Sequence, residues 1–164
     1  MSSLSSISSK ILDSSSLELK LKQWNDNQRM IVFTNGVFDL LHLGHIDYLS
    51  KAKDEGDILV VGINTDSSAK RLGKGSIRPI TDEKSRSTII ASLEFIDAVV
   101  LFEEDTPFNL IKKVQPDILV KGADYKPEDI VGYDIVMAKG GAIKTIDFLP
   151  GYSTTSIETK IKNS

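Results

Sequence analysis

Five short apolar segments recur along the chain, and stretches with helical spacing of apolar residues separate them. The segments are rich in valine and isoleucine without strict polar alternation, which is typical of strands buried on both faces of a sheet. The five predicted strands cover residues 30–33, 57–63, 97–102, 116–125 (with the exit from the strand) and 142–148. Strands that alternate with helices pair in parallel through right-handed crossovers. The pattern therefore predicts an α/β fold: a Rossmann-like, doubly wound five-stranded parallel sheet with helices on both faces.

The first 27 residues stand outside this repeat. Residues 1–9 are mostly serine, which predicts a flexible polar tail, and Ser14 to Ser16 offer an N-cap for a leading helix that includes Trp24. We therefore expect a tail and leading helix over residues 1–27 and one domain over residues 28–164.

The segments between the strands are predicted in the same way. The apolar spacing indicates a helix after Gly44, a cationic loop over residues 70–80, helices over residues 81–94 and 127–139, and a short helix opened by Thr106 and Pro107. A last helix follows the segment 149–157.

Composition and charge narrow the functional classes. The net charge of −3 gives no general attraction to nucleic acid or anionic membranes, so any phosphate site must be local. The absence of cysteine excludes a disulfide framework, a zinc–thiolate site and a thiol nucleophile. No apolar run reaches the length of a membrane span, and the serine-rich start lacks the apolar core of a secretory signal. We expect a cytoplasmic protein that binds neither nucleic acid nor membrane.

The two histidines of the chain, His42 and His45, both lie where the first predicted strand passes into a helix. Free N–H groups and the helix dipole favour anions at such a point, and each imidazole can donate a hydrogen bond to a phosphoryl oxygen. Gly44 between them would let a phosphate approach the backbone. A metal site and a pair of structural histidines are the alternatives that the spacing alone leaves open.

Longer motifs connect this turn with a known family. Residues 34–45, T-N-G-V-F-D-L-L-H-L-G-H, resemble the first signature of the cytidylyltransferase-like nucleotidyltransferases, and the S-T-T of residues 153–155 resembles their second signature. V-K-G-A-D-Y at residues 120–125, L-P-G-Y-S-T-T at residues 149–155 and R-P-I at residues 78–80 are similar to the heptose-phosphate branch of that family. Thr81 replaces the asparagine of that branch, and the R-T-E-G-I arginine of many cytidylyltransferases is absent.

The resemblance implies a reaction. An oxygen of D-glycero-D-manno-heptose 1-phosphate would attack the α-phosphorus of ATP and release pyrophosphate, giving ADP-heptose for lipopolysaccharide core precursors. The attacking phosphate is already an anion, so alignment and charge neutralisation suffice without a covalent intermediate. The resemblance also implies Mg²⁺ on the triphosphate and a homodimer. Transfer of CMP to glycerol 3-phosphate or another alcohol phosphate and a non-catalytic nucleotide-binding module are the competing functions.

The residues and the resemblance together give the following candidates. The candidate catalytic residues are His42, His45 and Lys121. The residues expected to bind ATP are Thr34, Asn35, Gly36, Phe38, His42, Gly44, His45, Lys121, Gly122, Asp124, Ser153, Thr154, Thr155 and Ser156. The residues expected to bind the sugar phosphate are Lys10, Asp39, Asp66, Lys70, Arg71, Lys74, Arg78 and Arg86. No protein ligand of a metal ion is predicted. Plain structural or surface roles stay open for several of these residues: a solvated lysine at Lys10, a cap at Asp66, a turn residue at Asp124, a surface cation at Arg86, a solvated surface loop over residues 70–80 and helix caps at residues 153–156.

Overall fold

The computed structural model describes residues 2–73 and 78–163. Within those ranges five strands form one parallel sheet in the order β3-β2-β1-β4-β5. The strands are β1 Ile31–Gly36, β2 Ile58–Asn64, β3 Ala98–Phe102, β4 Ile118–Gly122 and β5 Ala142–Ile146. The predicted five-stranded parallel sheet is confirmed.

Helices cover both faces of this sheet. They are α1 Ser3–Ser8, α2 Ser14–Asp26, α3 Leu43–Asp54, α4 Asp66–Arg71, α5 Glu83–Ala91, α6 Phe108–Val114, α7 Tyr133–Ala138 and α8 Thr154–Lys162, with a short 3-10 helix at Pro127–Asp129. Alternate residues of β1 belong to two separate cores: Phe33 packs with α2, α6 and α7, whereas Val32 packs with α3 and α5. Because side chains alternate along a strand, a fully apolar strand of this kind needs a helical layer on each face.

The strand order places a crevice beside β1. The chain moves from β1 outward to β3, then returns to the other side of β1 for β4 and β5, so β1 and β4 meet at the point where the order reverses. β1 pairs with β2 along its whole length up to Gly36, but with β4 only at Val32 and Phe33. The carboxyl ends of β1 and β4 therefore separate, and open α/β sheets bind their ligands at such a point.

The structure differs from the sequence-based prediction in three places. The expected tail contains α1, which Ser2 caps by accepting a hydrogen bond from the Ser5 N–H at 3.2 Å. A helix that was not predicted, α4, is capped by the Thr65 hydroxyl and takes in Lys70 and Arg71, the first two residues of the expected loop. The helix expected over residues 127–139 is broken, because Ile130 is extended and Gly132 has a φ of +92°. Each difference comes from local capping or backbone geometry that apolar spacing does not encode.

The segment before α2 extends the sheet. The Leu12 N–H donates to the Val99 carbonyl at 2.8 Å, and the Val99 N–H donates to the Lys10 carbonyl at 2.8 Å. Leu17, Leu21 and Trp24 of α2 are buried in the core. No helix in the described part of the chain is long and apolar enough to cross a membrane.

Candidate active site

A cleft of about 610 Å³ opens where the carboxyl ends of β1 and β4 separate. The turn after β1, the segments that follow β2, β4 and β5, and the first turn of α8 all contribute to its walls. Its lining includes Asn35, Gly36, Phe38, Asp39, His42, Gly44, His45, Tyr48, Asn64, Arg78, Lys121, Gly122, Asp124, Tyr125, Phe148, Tyr152, Ser153, Thr154 and Thr155. Most of the residues proposed from the sequence to bind ATP thus meet in one place.

The two histidine rings stack on each other at the start of α3. Their centroids lie 3.9 Å apart with an interplanar angle of 26°, and the Phe38 ring contacts His45 edge-on at 5.5 Å. The His42 backbone N–H donates to Nδ1 of His45 at 3.3 Å. Because Nδ1 of His45 accepts a hydrogen bond, the proton of the neutral ring is on Nε2, which is then the donor available to a ligand.

Burial keeps both rings neutral. It lowers the pKa of His45 to about 4, with a smaller contribution from His42, and it also lowers the pKa of His42. Nδ1 of His42 is buried and has no hydrogen-bond partner among the described residues. At pH 7 the pair therefore presents hydrogen-bond donors rather than positive charges.

Gly44 sets the spacing between this turn and the opposite wall. A Cβ atom added at Gly44 would lie 3.0 Å from Nδ1 and Cε1 of His42 and 3.2 Å from Cβ of Tyr152. A side chain at this position would therefore push the His42 ring or Tyr152 away by a few tenths of an ångström, and glycine lets both lie close to the start of α3.

Lys121 is a largely buried cation on the side of the cleft formed by β4. It is the fourth residue of β4, and its ammonium group donates to Oδ1 of Asn35 on the neighbouring strand. Burial lowers the pKa of Lys121 to about 8, and the nearby Asp124 carboxylate opposes part of that lowering. The group remains charged at pH 7 and is held 5.8 Å from the centre of the Tyr125 ring.

Aromatic side chains form a wall that the sequence analysis did not identify. Phe148 stacks on the buried Tyr48 at 6.1 Å, and a Cβ atom at Gly122 would collide with the Phe148 ring at 2.2 Å. Tyr125, Phe148 and Tyr152 are each about half exposed, at 50%, 58% and 47%. Aromatic rings that line a cleft suit the binding of a planar ring. Tyr125 and Tyr152 stand in motifs quoted above, and Phe148 lay at the end of a predicted strand, but none of the three was singled out from the sequence.

The S-T-T segment begins α8 at the cleft. The Ser153 hydroxyl accepts the Ser156 N–H at 3.0 Å and so caps the helix, while Thr154 and Thr155 stand in its first turn. Ser153, Thr154 and Thr155 line the cleft, whereas Ser156 lies behind them and donates its hydroxyl to the Ser153 carbonyl at 2.8 Å. The remaining free N–H groups of this helix start face the same space as the histidines.

Two residues predicted to bind substrate, Arg86 and Asp39, make contacts with the framework in this structure. Arg86 is fully buried and donates to the carbonyls of Thr81 and Val37 and to the Asp66 carboxylate, all at 2.7–3.0 Å. Asp39 lines the cleft, but its carboxylate already accepts the N–H groups of Ile80 and Thr81 at 2.9 Å. These contacts fix the segment at residues 78–81 against the turn after β1.

Other predicted residues lie away from the cleft. Thr34 is fully buried beneath it and hydrogen-bonds the Tyr48 hydroxyl at 2.8 Å. Lys10 donates to the Leu93 carbonyl at 3.1 Å, near the end of α5. Arg71 pairs with Asp105 at 2.6 Å, and Lys70 is exposed on α4. Their placement supports framework or surface roles rather than substrate contacts. Lys74 lies outside the described residues.

Arg78 lines the cleft and forms an ion pair with Glu158. Its Nε donates to Oε1 of Glu158 at 2.9 Å, and its Nη2 lies 2.7 Å from Oε2 of the same carboxylate. Glu158 belongs to α8, so the pair joins the segment before α5 to the helix that carries the S-T-T segment. Glu158 was not among the residues expected from the sequence, because an acidic residue in a helix gives no signal of a long-range partner.

Comparisons with known proteins give matches to a family model and to curated relatives. Residues 33–160 match the family model described as cytidylyltransferase-like. Proteins described as bifunctional protein HldE are 52% identical over 93% of this chain in a Nitratiruptor species and 47% identical over 94% of it in Wolinella succinogenes. The matched region is 32% of each relative, so the chain spans about a third of their length.

Solved structures show the same fold. The crystal structure of the lipopolysaccharide core biosynthesis protein from Thermoplasma volcanium is 35% identical, covers 74% of this chain and 97% of that one, and superposes with a TM-score of 0.59. A pantoate-beta-alanine ligase from Francisella tularensis, 18% identical, covers 93% of this chain and 76% of its own, with a TM-score of 0.58. At that identity the second likeness concerns the fold alone.

Proposed function

Because this chain belongs to the cytidylyltransferase-like family, we propose that it is a nucleotidyltransferase that moves AMP from ATP to a sugar 1-phosphate. The proposed acceptor is D-glycero-D-manno-heptose 1-phosphate, and the products are ADP-heptose and pyrophosphate, for the synthesis of lipopolysaccharide core precursors. The observation that carries the proposal is that His42, His45, Lys121 and the start of α8 line a single cleft.

The sugar assignment depends on particular motifs and relatives. V-K-G-A-D-Y and L-P-G-Y-S-T-T resemble the heptose-phosphate branch, and both segments line the cleft. One solved relative is described as a lipopolysaccharide core biosynthesis protein. Many cytidylyltransferases carry the arginine of an R-T-E-G-I motif just before the S-T-T segment. This chain has L-P-G-Y at residues 149–152 instead, and the absence of that arginine disfavours a cytidylyltransferase.

In the proposed reaction, an anionic oxygen of the sugar phosphate attacks the α-phosphorus of ATP. A new P–O bond forms, the bond from the α-phosphorus to the bridging oxygen breaks, and the electron pair leaves with pyrophosphate. His45 donates through Nε2 to an α-phosphate oxygen, where charge increases in the transition state. His42, stacked on it, supports the same oxygen from the helix start.

The other cleft residues bind the leaving group and the base. The first turn of α8 offers N–H groups and the hydroxyls of Thr154 and Thr155 to the β- and γ-phosphates. Lys121 neutralises part of the triphosphate charge, and its burial strengthens that interaction. The aromatic wall formed by Tyr125, Phe148 and Tyr152 accommodates the adenine ring.

Mg²⁺ would enter as part of the substrate. No group of three or more His, Asp or Glu side chains in the described ranges could hold a metal ion, and the Asp39 carboxylate is engaged by backbone N–H groups. Phosphate oxygens and water would then supply most of the ligands, as this ion prefers. We also propose that the protein is cytoplasmic and forms a homodimer. Light scattering of the purified chain would test the dimer.

The test is pyrophosphate release with ATP or CTP in combination with heptose 1-phosphate or glycerol 3-phosphate. We expect activity only with ATP and the sugar 1-phosphate, and the double variant His42→Ala/His45→Ala serves as the inactive control. A preference for CTP and glycerol 3-phosphate would replace the proposal with a cytidylyltransferase. ATP binding without pyrophosphate from any acceptor would indicate a non-catalytic nucleotide-binding module.

A further inference from the structure

The ion pair between Arg78 and Glu158 connects two walls of the cleft. Two contacts, at 2.9 and 2.7 Å, engage the Nε and Nη2 positions, which form one edge of the guanidinium group. The two side chains are only 20% and 22% exposed, so water screens the pair less than it screens a surface ion pair. A two-point contact of this kind fixes the plane of the guanidinium group as well as its position.

The other edge of Arg78 is left for a ligand. A guanidinium group has five N–H donors, and the contacts with Glu158 engage two of them. Within residues 2–73 and 78–163 no other acceptor takes a hydrogen bond from Arg78, although the residue lines the cleft. The free edge, which includes Nη1, has the fork geometry that matches two oxygens of a phosphate.

The position of Arg78 indicates which phosphate it would meet. Lys121 lies in β4, and Asp124 and Phe148 follow β4 and β5. Asn64 ends β2, on the other side of β1. The segment that carries Arg78 is held to the turn after β1 by Asp39 and leads into α5, where Glu83 accepts the N–H of Asp66 just after β2. The histidines at the end of β1 lie between these two sides. With ATP on the side of Lys121 and the aromatic wall, the space beside Arg78 is left open to the phosphate that attacks the α-phosphorus.

We propose that Glu158 is a positioning residue, which aligns Arg78 so that the free edge of its guanidinium group binds the phosphate of the acceptor substrate. This inference rests on the proposed function, because it assigns the second substrate of the same reaction. Glu158 itself does not contact substrate. Its carboxylate acts by holding the arginine plane across the cleft.

Steady-state kinetics of Glu158→Ala, Arg78→Ala and the double variant test the assignment. We expect Arg78→Ala to raise the KM for the sugar 1-phosphate about ten- to a hundredfold, as loss of a charge-assisted hydrogen bond does, and Glu158→Ala to raise it about tenfold. The KM for ATP should change less than about twofold in each. The double variant should match Arg78→Ala alone, because Glu158 acts only through Arg78. Glu158→Gln keeps one acceptor for the arginine and should fall between wild type and Glu158→Ala.

Glu18→Ala is the matched control. Glu18 also pairs with a cation, Lys113 at 2.6 Å, but neither residue lines the cleft, so both KM values should stay unchanged. Melting temperatures of all variants separate positioning from folding. If Glu158→Ala and Glu158→Gln keep the wild-type KM for the acceptor, or if their losses add fully to that of Arg78→Ala, the inference is wrong. If the wild-type chain itself releases no pyrophosphate with ATP and a sugar 1-phosphate, the proposed function fails instead.

Discussion

Replacing Lys121 by methionine separates the cost of burying its charge from the benefit of that charge in binding. Burial lowers the pKa of Lys121 from 10.5 to about 8, which corresponds to about 3 kcal/mol against the charged form in the folded chain. Methionine removes that cost but loses the hydrogen bond to Asn35, a contact of about 1.5–3 kcal/mol. The free energy of unfolding at pH 7 should therefore stay unchanged or rise by up to about 1.5 kcal/mol, which is a rise in Tm of up to about 6 °C.

The effect of the same variant on ATP should have the opposite sign. Loss of a buried cation beside the triphosphate should raise the KM for ATP about ten- to a hundredfold, measured by pyrophosphate release at pH 7. In the wild-type chain, kcat/KM for ATP should fall as the pH rises above about 8, where free Lys121 loses its proton, and Lys121→Met should lack that fall.

Stability and pH are linked through the same group. The folded pKa lies below the unfolded value, so the unfolded chain holds more protons between pH 8 and 10.5. The contribution of Lys121 to wild-type stability therefore rises with pH across that window, and the variant lacks this rise.

Lys139→Met is the control, since Lys139 pairs with Asp117 and is not among the cleft residues. A variant with a lowered Tm and an unchanged KM for ATP would show that Lys121 is structural and refute the reasoning.

Three further substitutions test the histidine turn and its support. His45→Ala should lower kcat about 10²–10³-fold with little change in Tm, because one preorganised donor to the α-phosphate is lost; near-normal turnover would remove His45 from the mechanism. Gly44→Ala should lower kcat while the chain stays folded, because its Cβ would press on the His42 ring at 3.0 Å; full activity would show that the ring can move without consequence. Arg86→Met should lower the free energy of unfolding by about 3–5 kcal/mol in urea denaturation, because it leaves Asp66 without its buried partner; a smaller loss with a large rise in KM would restore Arg86 as a binding residue.

Local patterns in the sequence predicted much of the framework. Apolar runs with β-branched residues identified each strand to within a few residues, because a strand buried on both faces needs such a run whatever its neighbours are. The helix that starts at Leu43 was expected from the glycine and the change in spacing, although it begins one residue before Gly44. The last helix was expected after the segment 149–157 but begins inside it, at Thr154, because the Ser153 hydroxyl caps it. The interruptions at Gly132 and at α4 were missed, because they depend on single backbone angles and caps.

The roles of the charged residues were beyond the reach of the sequence. Arg86 and Arg78 are both cations in the same region of the chain, but one is buried against Asp66 and the other lines the cleft opposite Glu158. Their contacts join residues 20 and 80 positions apart, and a local pattern carries no information about such distant pairs. Phe148 became part of the cleft for a similar reason, because only the folded sheet brings it over Gly122.

The sequence by itself determined the layered α/β fold and the turn that holds the two histidines, since both follow from the periodicity and chemistry of neighbouring residues. Only the tertiary structure decided which polar groups face the cleft and which belong to the framework. That division is set by burial and by partners from distant segments, which exist only after the sheet has formed.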